Sequence, residues 1–314
     1  MKKTLLLATC LFDAVALSAQ TNYLEGDVVY RTFNQYSEFT KSTSPQFVNG
    51  VDTVYVTIKG SRIHEYHKST GVHVVYDNNE RIRMWSDNTK EGFDVPFVVQ
   101  TPSASPSAFK TNEKKTIAGK EGVLYKSVID VMGTVAENEM FIADTDIPIG
   151  PNAICILNVS IFGEDFKNKI GMKVTVNQYQ TGKMQEMMKK LGEEVWSSQS
   201  TELLQIQPRE VADAEFIAPA DMKIEFVEQI EPAPELKSGI VQMTLNATLK
   251  NINKDLKKLG MKMTKEDLEA AYNYGQFMTK FHQKNVTYMR EHNLLNEKVI
   301  EERIVYNIEE EWDF

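Results

Sequence analysis

From residue 25 to about 100 the chain repeats one pattern. Short runs rich in Val, Ile, Tyr and Thr alternate apolar and polar positions and are separated by turn residues. The runs are 26–33, 52–59, 62–68, 71–77 and 81–86. In 52–59, Val54, Val56 and Ile58 share one side, with Thr53, Tyr55, Thr57 and Lys59 on the other. A period of two is that of a half-buried antiparallel strand. Lys59-Gly60-Ser61, Ser69-Thr70-Gly71 and Asp77-Asn78-Asn79 supply turn chemistry between neighbours, so the spacing predicts a meander. Residues 100–112 are rich in Pro and Ser and read as a loop. Further strands are expected at 121–129, 138–144, 152–159, 171–179 and 201–208, with an extended segment to about 226. Together they make one antiparallel sheet of about eight to ten strands, an estimate from alternation alone.

The period changes twice. Within 183–196, Met184, Met187, Met188, Leu191 and Val195 recur at three and four, which predicts a short amphipathic helix. After the proline-containing stretch 229–236, Val241, Leu245, Leu249, Ile252, Leu256, Leu259 and Met263 form one helical stripe. Gly260 suits its end, and Thr264 with Asp267 resembles a capping box opening a second helix over 265–292. That helix is expected to face the fold with Leu268, Ala271, Tyr272, Gly275, Met278, Phe281, His282 and Met289. Residues 296–314 fit a helix through Ile300, Ile304, Ile308 and Trp312, while RIVYNI also fits a strand. The fold class is α+β. The expected division is a sheet domain over 20–228, a linker over 229–236 and a helical region over 237–314.

The amino terminus changes the picture of location. Lys2 and Lys3 precede an apolar stretch over 4–17, with a small residue, Ala19, at a plausible cut. This is the layout of a secretory signal peptide over 1–19, with Asp13 as its one irregularity. Cleavage would remove two lysines, one aspartate and Cys10, taking the net charge from −9 to −10 and leaving Cys155 alone. One cysteine makes no internal disulfide, so an ordinary core must hold the chain in an oxidising compartment. No later stretch is long and apolar enough to span a bilayer, and the acidic balance argues against nucleic acid as a partner. The charge is uneven. Residues 231–296 carry ten basic and seven acidic side chains, against two and seven over 297–314. Lys250, Lys254, Lys257, Lys258, Lys262 and Lys265 make the basic run. It reads as a solvated face of a docked helix or as a surface that meets anionic lipid.

A search for chemistry finds no G-x-S-x-G, no phosphate loop and no dinucleotide fingerprint. His-Glu-Tyr-His at 64–67 is one residue short of the zinc-protease pattern and lies on a strand, so its two histidines face opposite ways. His64 and His73 are expected to approach diagonally across their hairpin without a third ligand. Asp144 and Asp146 begin like a calcium loop, but Pro148 stands where an oxygen donor belongs. No cofactor, metal or catalytic residue is assigned.

The signal peptide ending in SAQ, the strand EGDVVYRTF, and the stretches TIAGKEGVLYKSVI, FIADTDIPIGP, GMKV and AEFIAPADMKI together resemble secreted gram-negative envelope proteins related in fold to the LolA-like lipoprotein carriers. DTDIPIGP is also similar to part of the GLPGLI family, whose hexapeptide is missing here. The resemblance covers about 25–227 and implies a curved antiparallel sheet, an open half-barrel with helices across its mouth. It further implies a periplasmic or outer-membrane-associated protein of unknown function. In such carriers the concavity holds acyl chains. Candidate lining residues are Tyr30, Val54, Val56, Ile58, Met184, Met187 and Leu191, unless the same side chains simply fill a core. The expectation is a non-enzymatic protein that binds a lipid or other apolar small molecule in the sheet. The alternative is an interaction protein docking on an envelope partner through its C-terminal helices, and a hydrolase with a purely spatial site is the third reading.

Overall fold

The computed structural model describes residues 23–43, 47–77, 81–96, 109–131, 134–144, 169–180, 182–190, 192, 195–257 and 262–295. The expected signal peptide, the strand at 152–159, Cys155 and the segment 296–314 lie outside these residues.

The strands are β1 (Gly26–Tyr36), β2 (Gly50–Lys59), β3 (Arg62–His67), β4 (Val72–Asp77), β5 (Arg81–Ser86), β6 (Glu91–Pro96), β7 (Phe109–Ile117), β8 (Lys120–Val131), β9 (Thr134–Ala143), β10 (Gly171–Gln180), β11 (Ser197–Pro208) and β12 (Lys223–Phe226). They form one open sheet in the order β12-β6-β5-β4-β3-β2-β1-β11-β10-β9-β8-β7. Among the described residues every pairing is antiparallel except β12 on β6. The helices are α1 (Glu38–Thr43), α2 (Gly182–Lys190), α3 (Gly239–Leu256) and α4 (Lys265–Glu291).

The predicted meander is β1 to β5, and β6 extends it. Gly60 allows the tight β2–β3 turn, because its φ of 62° is one that a side chain resists. The sheet is larger than the alternation suggested. β6, GFDVP with its Gly and Pro, shows weak strand propensity, yet it pairs with β5 throughout. The first four residues of β7 fall in the stretch expected as a loop, yet with Lys110, Lys114 and Lys115 it is an edge strand, where lysines block further pairing. The extended stretch after β11 contains a 3-10 turn, Asp213–Phe216, before the parallel strand β12.

Alternation gives the sheet two faces. Val28, Tyr30, Val54, Val56, Ile58 and Ile63 lie on one, within a core shared with Met172 and Leu203. On the same face of β4–β6, Val72, Val74, Ile82, Met84 and Val95 pack against Tyr274 and Phe281 of α4. On the opposite face, Val75 and Trp85 are covered by Val211 and Phe216 from the strap that follows β11. Gly92 makes room for this layer, since a Cβ there would meet the Met84 carbonyl at 2.2 Å and the Trp85 Cβ at 2.7 Å.

α4 begins as its capping box predicts. Thr264 Oγ1 accepts from the Asp267 amide, and Asp267 Oδ2 accepts from the Thr264 amide. Its buried face keeps Phe281 and Met289 of the expected one, with Met278 packed against the same core, and adds Tyr274, Asn285 and Val286. Tyr274, Phe281, Asn285, Val286 and Met289 face inward, while Gly275 is exposed. Asn285 is the polar member that an apolar stripe does not include. It is 2% exposed, accepts from Ser86 Oγ (2.6 Å) and Asn88 Nδ2 (3.2 Å), and donates to the Thr70 carbonyl (2.9 Å). These bonds pin the helix to the β3–β4 and β5–β6 turns. Asn285→Ala leaves the fully buried Ser86 hydroxyl without this acceptor and is expected to cost about 1–3 kcal/mol. An unchanged urea midpoint would show that the amide does not hold the helix.

Candidate functional site

Four of the residues expected to line a cavity are Tyr30, Val54, Val56 and Ile58, each no more than 1% exposed within the core cluster above. They touch side chains of neighbouring strands, as a half-buried strand's apolar side does when it packs shut. Met184 and Met187 lie on α2, but their side chains are outside the described residues, as is the whole of Leu191. Their neighbour Met188 is 2% exposed.

The same face turns polar toward α4. In-register alternation places Asp52 beyond Val54, and Glu65 and His67 beyond Ile63. Asp52 and Glu65 are 7% and 6% exposed. His67 Nδ1 donates to Asp52 Oδ2 (3.1 Å), its Nε2 stands 3.9 Å from Glu65 Oε2, and Asp52 Oδ1 accepts the Ser69 amide (2.7 Å). Burial by itself would push the His67 pKa down. The hydrogen bond with Asp52 and the charges of Glu65 and Asp52 oppose that and hold it above its ordinary value. His282 of α4 shares this environment. Burial, helped by the charge of His67, lowers it to about 4. The cluster is an ion network with Asp52 turned onto His67 and the Ser69 turn, and Glu65 beside the same histidine. Sequence reasoning passed over Asp52 and Glu65. The signal was present, since both stand at inward positions of otherwise apolar alternations.

The opposite face carries the histidine pair, and the expected diagonal approach is there. His64 Nε2 and His73 Nδ1 are 3.0 Å apart, and His73 Nε2 is 3.0 Å from Asp87 Oδ2. Tyr55, Tyr66, His73 and Trp85 are direct cross-strand partners from β2 to β5, their rings stacked at 6.1, 4.4 and 4.8 Å. Among the described residues no group of three or more His, Cys, Asp or Glu is arranged to hold a metal ion.

The predicted basic run lies on and after α3. Lys250, Lys257 and Lys262 are exposed; the side chain of Lys254 and the whole of Lys258 lie outside the described residues. Leu245 faces inward at 7% exposure, but Ile240 and Met243 face out at 77% and 74%. At 100° per residue, Ile240, Met243, Ala247, Lys250 and Lys257 fall on one side of the helix, apolar in its first turns and basic in its last. An open groove of about 510 Å³ runs beside α4, lined by polar residues including Glu91, Lys280, Lys284 and Tyr288. Lys284 and Glu91 are already paired across it. No described helix is long and apolar enough to cross a membrane.

No family model matches the chain, and no curated protein matches it. Among solved structures it superposes on PNGF-II in its P21 crystal form at a TM-score of 0.29 and 8% identity, covering 73% of this chain and 34% of that one. For the C2 form the values are 0.32, 12%, 64% and 31%. The chain thus spans about a third of the length of these structures, and superpositions this loose transfer neither fold family nor activity.

Proposed function

We propose that this is a secreted, non-enzymatic protein of the bacterial envelope that docks on an anionic lipid surface through the outward side of α3. The observation that carries this reading is the exposure of Ile240 and Met243, one turn apart, on the helix side that continues into Lys250 and Lys257. Monomeric surfaces show single apolar residues freely. An apolar pair at a helix start with lysines below it matches acyl chains beside phosphate headgroups. The signal-peptide layout of residues 1–19 supports a location beyond the inner membrane. The lipid is placed outside the sheet, rather than in the concavity that the LolA-like resemblance implies, because Tyr30, Val54, Val56 and Ile58 are packed against their neighbours.

Co-sedimentation of the full chain with vesicles tests it. Binding is expected with phosphatidylglycerol-containing vesicles, weak with pure phosphatidylcholine, and reduced by salt, which screens the lysines. The double variant Ile240→Glu, Met243→Glu is expected to bind at least about tenfold more weakly, since each buried apolar side chain is worth roughly 1.5–3 kcal/mol. Equal affinity for both vesicle types, no binding, or undiminished binding by the variant would overturn the proposal.

A further inference from the structure

We infer that Met243 makes the docking side of α3 sensitive to oxidation: a peroxide converts its thioether to the sulfoxide, and the helix then leaves the lipid. The inference rests on the lipid-docking reading above and adds regulation to it. It starts from where the fold keeps its methionines. Met84, Met140, Met172, Met188, Met263 and Met289 are all buried, none more than 5% exposed. Met222 and Met278 are half-buried, each packed against a core cluster. Met243 is 74% exposed, the single exposed methionine among those whose side chains are described. A peroxide reaches a sulfur where solvent does, so the fold itself ranks these thioethers by access.

Its place on the helix gives that access a consequence. Ile240 and Met243 are the two large apolar side chains left uncovered on the outward side of α3. Leu245 is buried and Val241 half-buried, so other residues than Met243 hold the helix against the fold. The Asn253 side chain, bonded to the backbone of Met263, ties the end of α3 to the approach to α4. A change at the Met243 sulfur therefore alters what the helix offers to lipid and leaves its attachment intact.

The chemistry is a two-electron oxygen transfer. A lone pair on the sulfur attacks one oxygen of hydrogen peroxide, and the O–O bond breaks. That oxygen stays on sulfur, and its proton passes to the departing hydroxide, which leaves as water. Sulfur is oxidised and the peroxide is reduced. The product is a polar side chain in place of an apolar one. Among acyl chains the new oxygen finds no donor, so burying it costs the hydrogen bonds that water supplied. Half of the apolar pair is thus withdrawn. The lysines are unchanged, and the attraction that remains is electrostatic and weakened by salt.

The test treats the full chain with hydrogen peroxide, maps sulfoxides by peptide mass spectrometry, and measures co-sedimentation with phosphatidylglycerol-containing vesicles. Met243 is expected to gain its oxygen before the six buried methionines do. At that stage binding is expected to be at least about tenfold weaker, the factor that burial of a methionine side chain is worth, with the urea midpoint unchanged. Met243→Gln, a polar stand-in for the sulfoxide, is expected to bind as weakly as the oxidised chain. Met243→Leu, compared with its own untreated binding, is expected to lose nothing on treatment. Sulfoxide reductases of both epimer specificities, supplied with a dithiol, are expected to restore the wild type; the oxygen leaves as water and the dithiol closes to a disulfide. Failure of the untreated chain to bind would overturn the lipid reading and this inference with it. If the untreated chain binds, the inference alone is overturned by any of three results: buried methionines oxidised ahead of Met243, full binding once Met243 is a sulfoxide, or an equal loss in treated Met243→Leu.

Discussion

Phe281→Ala is expected to lower the unfolding free energy by about 3–5 kcal/mol, the usual cost of removing a buried aromatic ring, and to destabilise the sheet together with the helix. The ring is 5% exposed, belongs to the cluster of Val72, Val74, Ile82, Met84 and Val95, and meets Phe93 edge-on at 5.9 Å. Side chains from three strands, β4, β5 and β6, lose their partner at once. A urea titration followed by both far-ultraviolet circular dichroism and tryptophan fluorescence, in a chain whose other tryptophans, Trp196 and Trp312, are replaced by Phe, reads the result. If helix and sheet share one cooperative core, both signals shift together. A tryptophan transition left at its wild-type midpoint would mean that α4 unfolds as a separate unit.

Acid is the second large effect. His282 and His64 both have pKa values lowered to about 4, in each case chiefly by burial. A histidine in the unfolded chain titrates near 6.5. Between that value and 4, the unfolded state binds protons that these two folded sites refuse, so stability falls as pH falls. Each unit of pKa difference is worth about 1.4 kcal/mol, so His282 is expected to account for about 2–3 kcal/mol lost between pH 6.5 and pH 4. His67 acts with the opposite sign. Its pKa is raised, so its contribution is complete below about 6.5 and is lost as pH rises through its folded value. The Asp213 carboxyl, held down to about 2 by its bonds to Lys59 and Arg62, contributes above the ordinary aspartate range and fails only in stronger acid. His282→Gln removes the acid penalty of one site. The gap between its urea midpoints at pH 7 and pH 4 should be smaller than that of the wild type by this amount. An equal gap would show that His282 protonates freely in the folded chain.

Much of the architecture was written in local pattern. The β1–β5 meander, the inward side of Val54, Val56 and Ile58, the Thr264 cap and the approach of His64 to His73 all follow from periods of two and 3.6 and from turn chemistry. These features depend on residues within about a dozen positions of one another. What the pattern concealed depended on partners far along the chain. β7 has the composition of a loop, and only its pairing with β8 at the sheet edge makes it a strand. Asn285 reads as a solvent-facing residue until the Thr70 and Ser86 turns, some two hundred residues away, supply its bonds.

The candidate surfaces divide in the same way. The sequence by itself determined that α3 would carry an apolar stripe and a basic run, because helical spacing fixes which residues share a side. Only the tertiary structure decided that Leu245 turns inward while Ile240 and Met243 remain uncovered, since that depends on where α3 rests. Likewise, alternation put Asp52, Glu65 and His67 on the inward side, but folding brought His282 to them and shifted its proton affinity. Periodicity is a property of the neighbouring chain. Burial, and the electrostatics that burial creates, belong to contacts between segments that the sequence keeps apart.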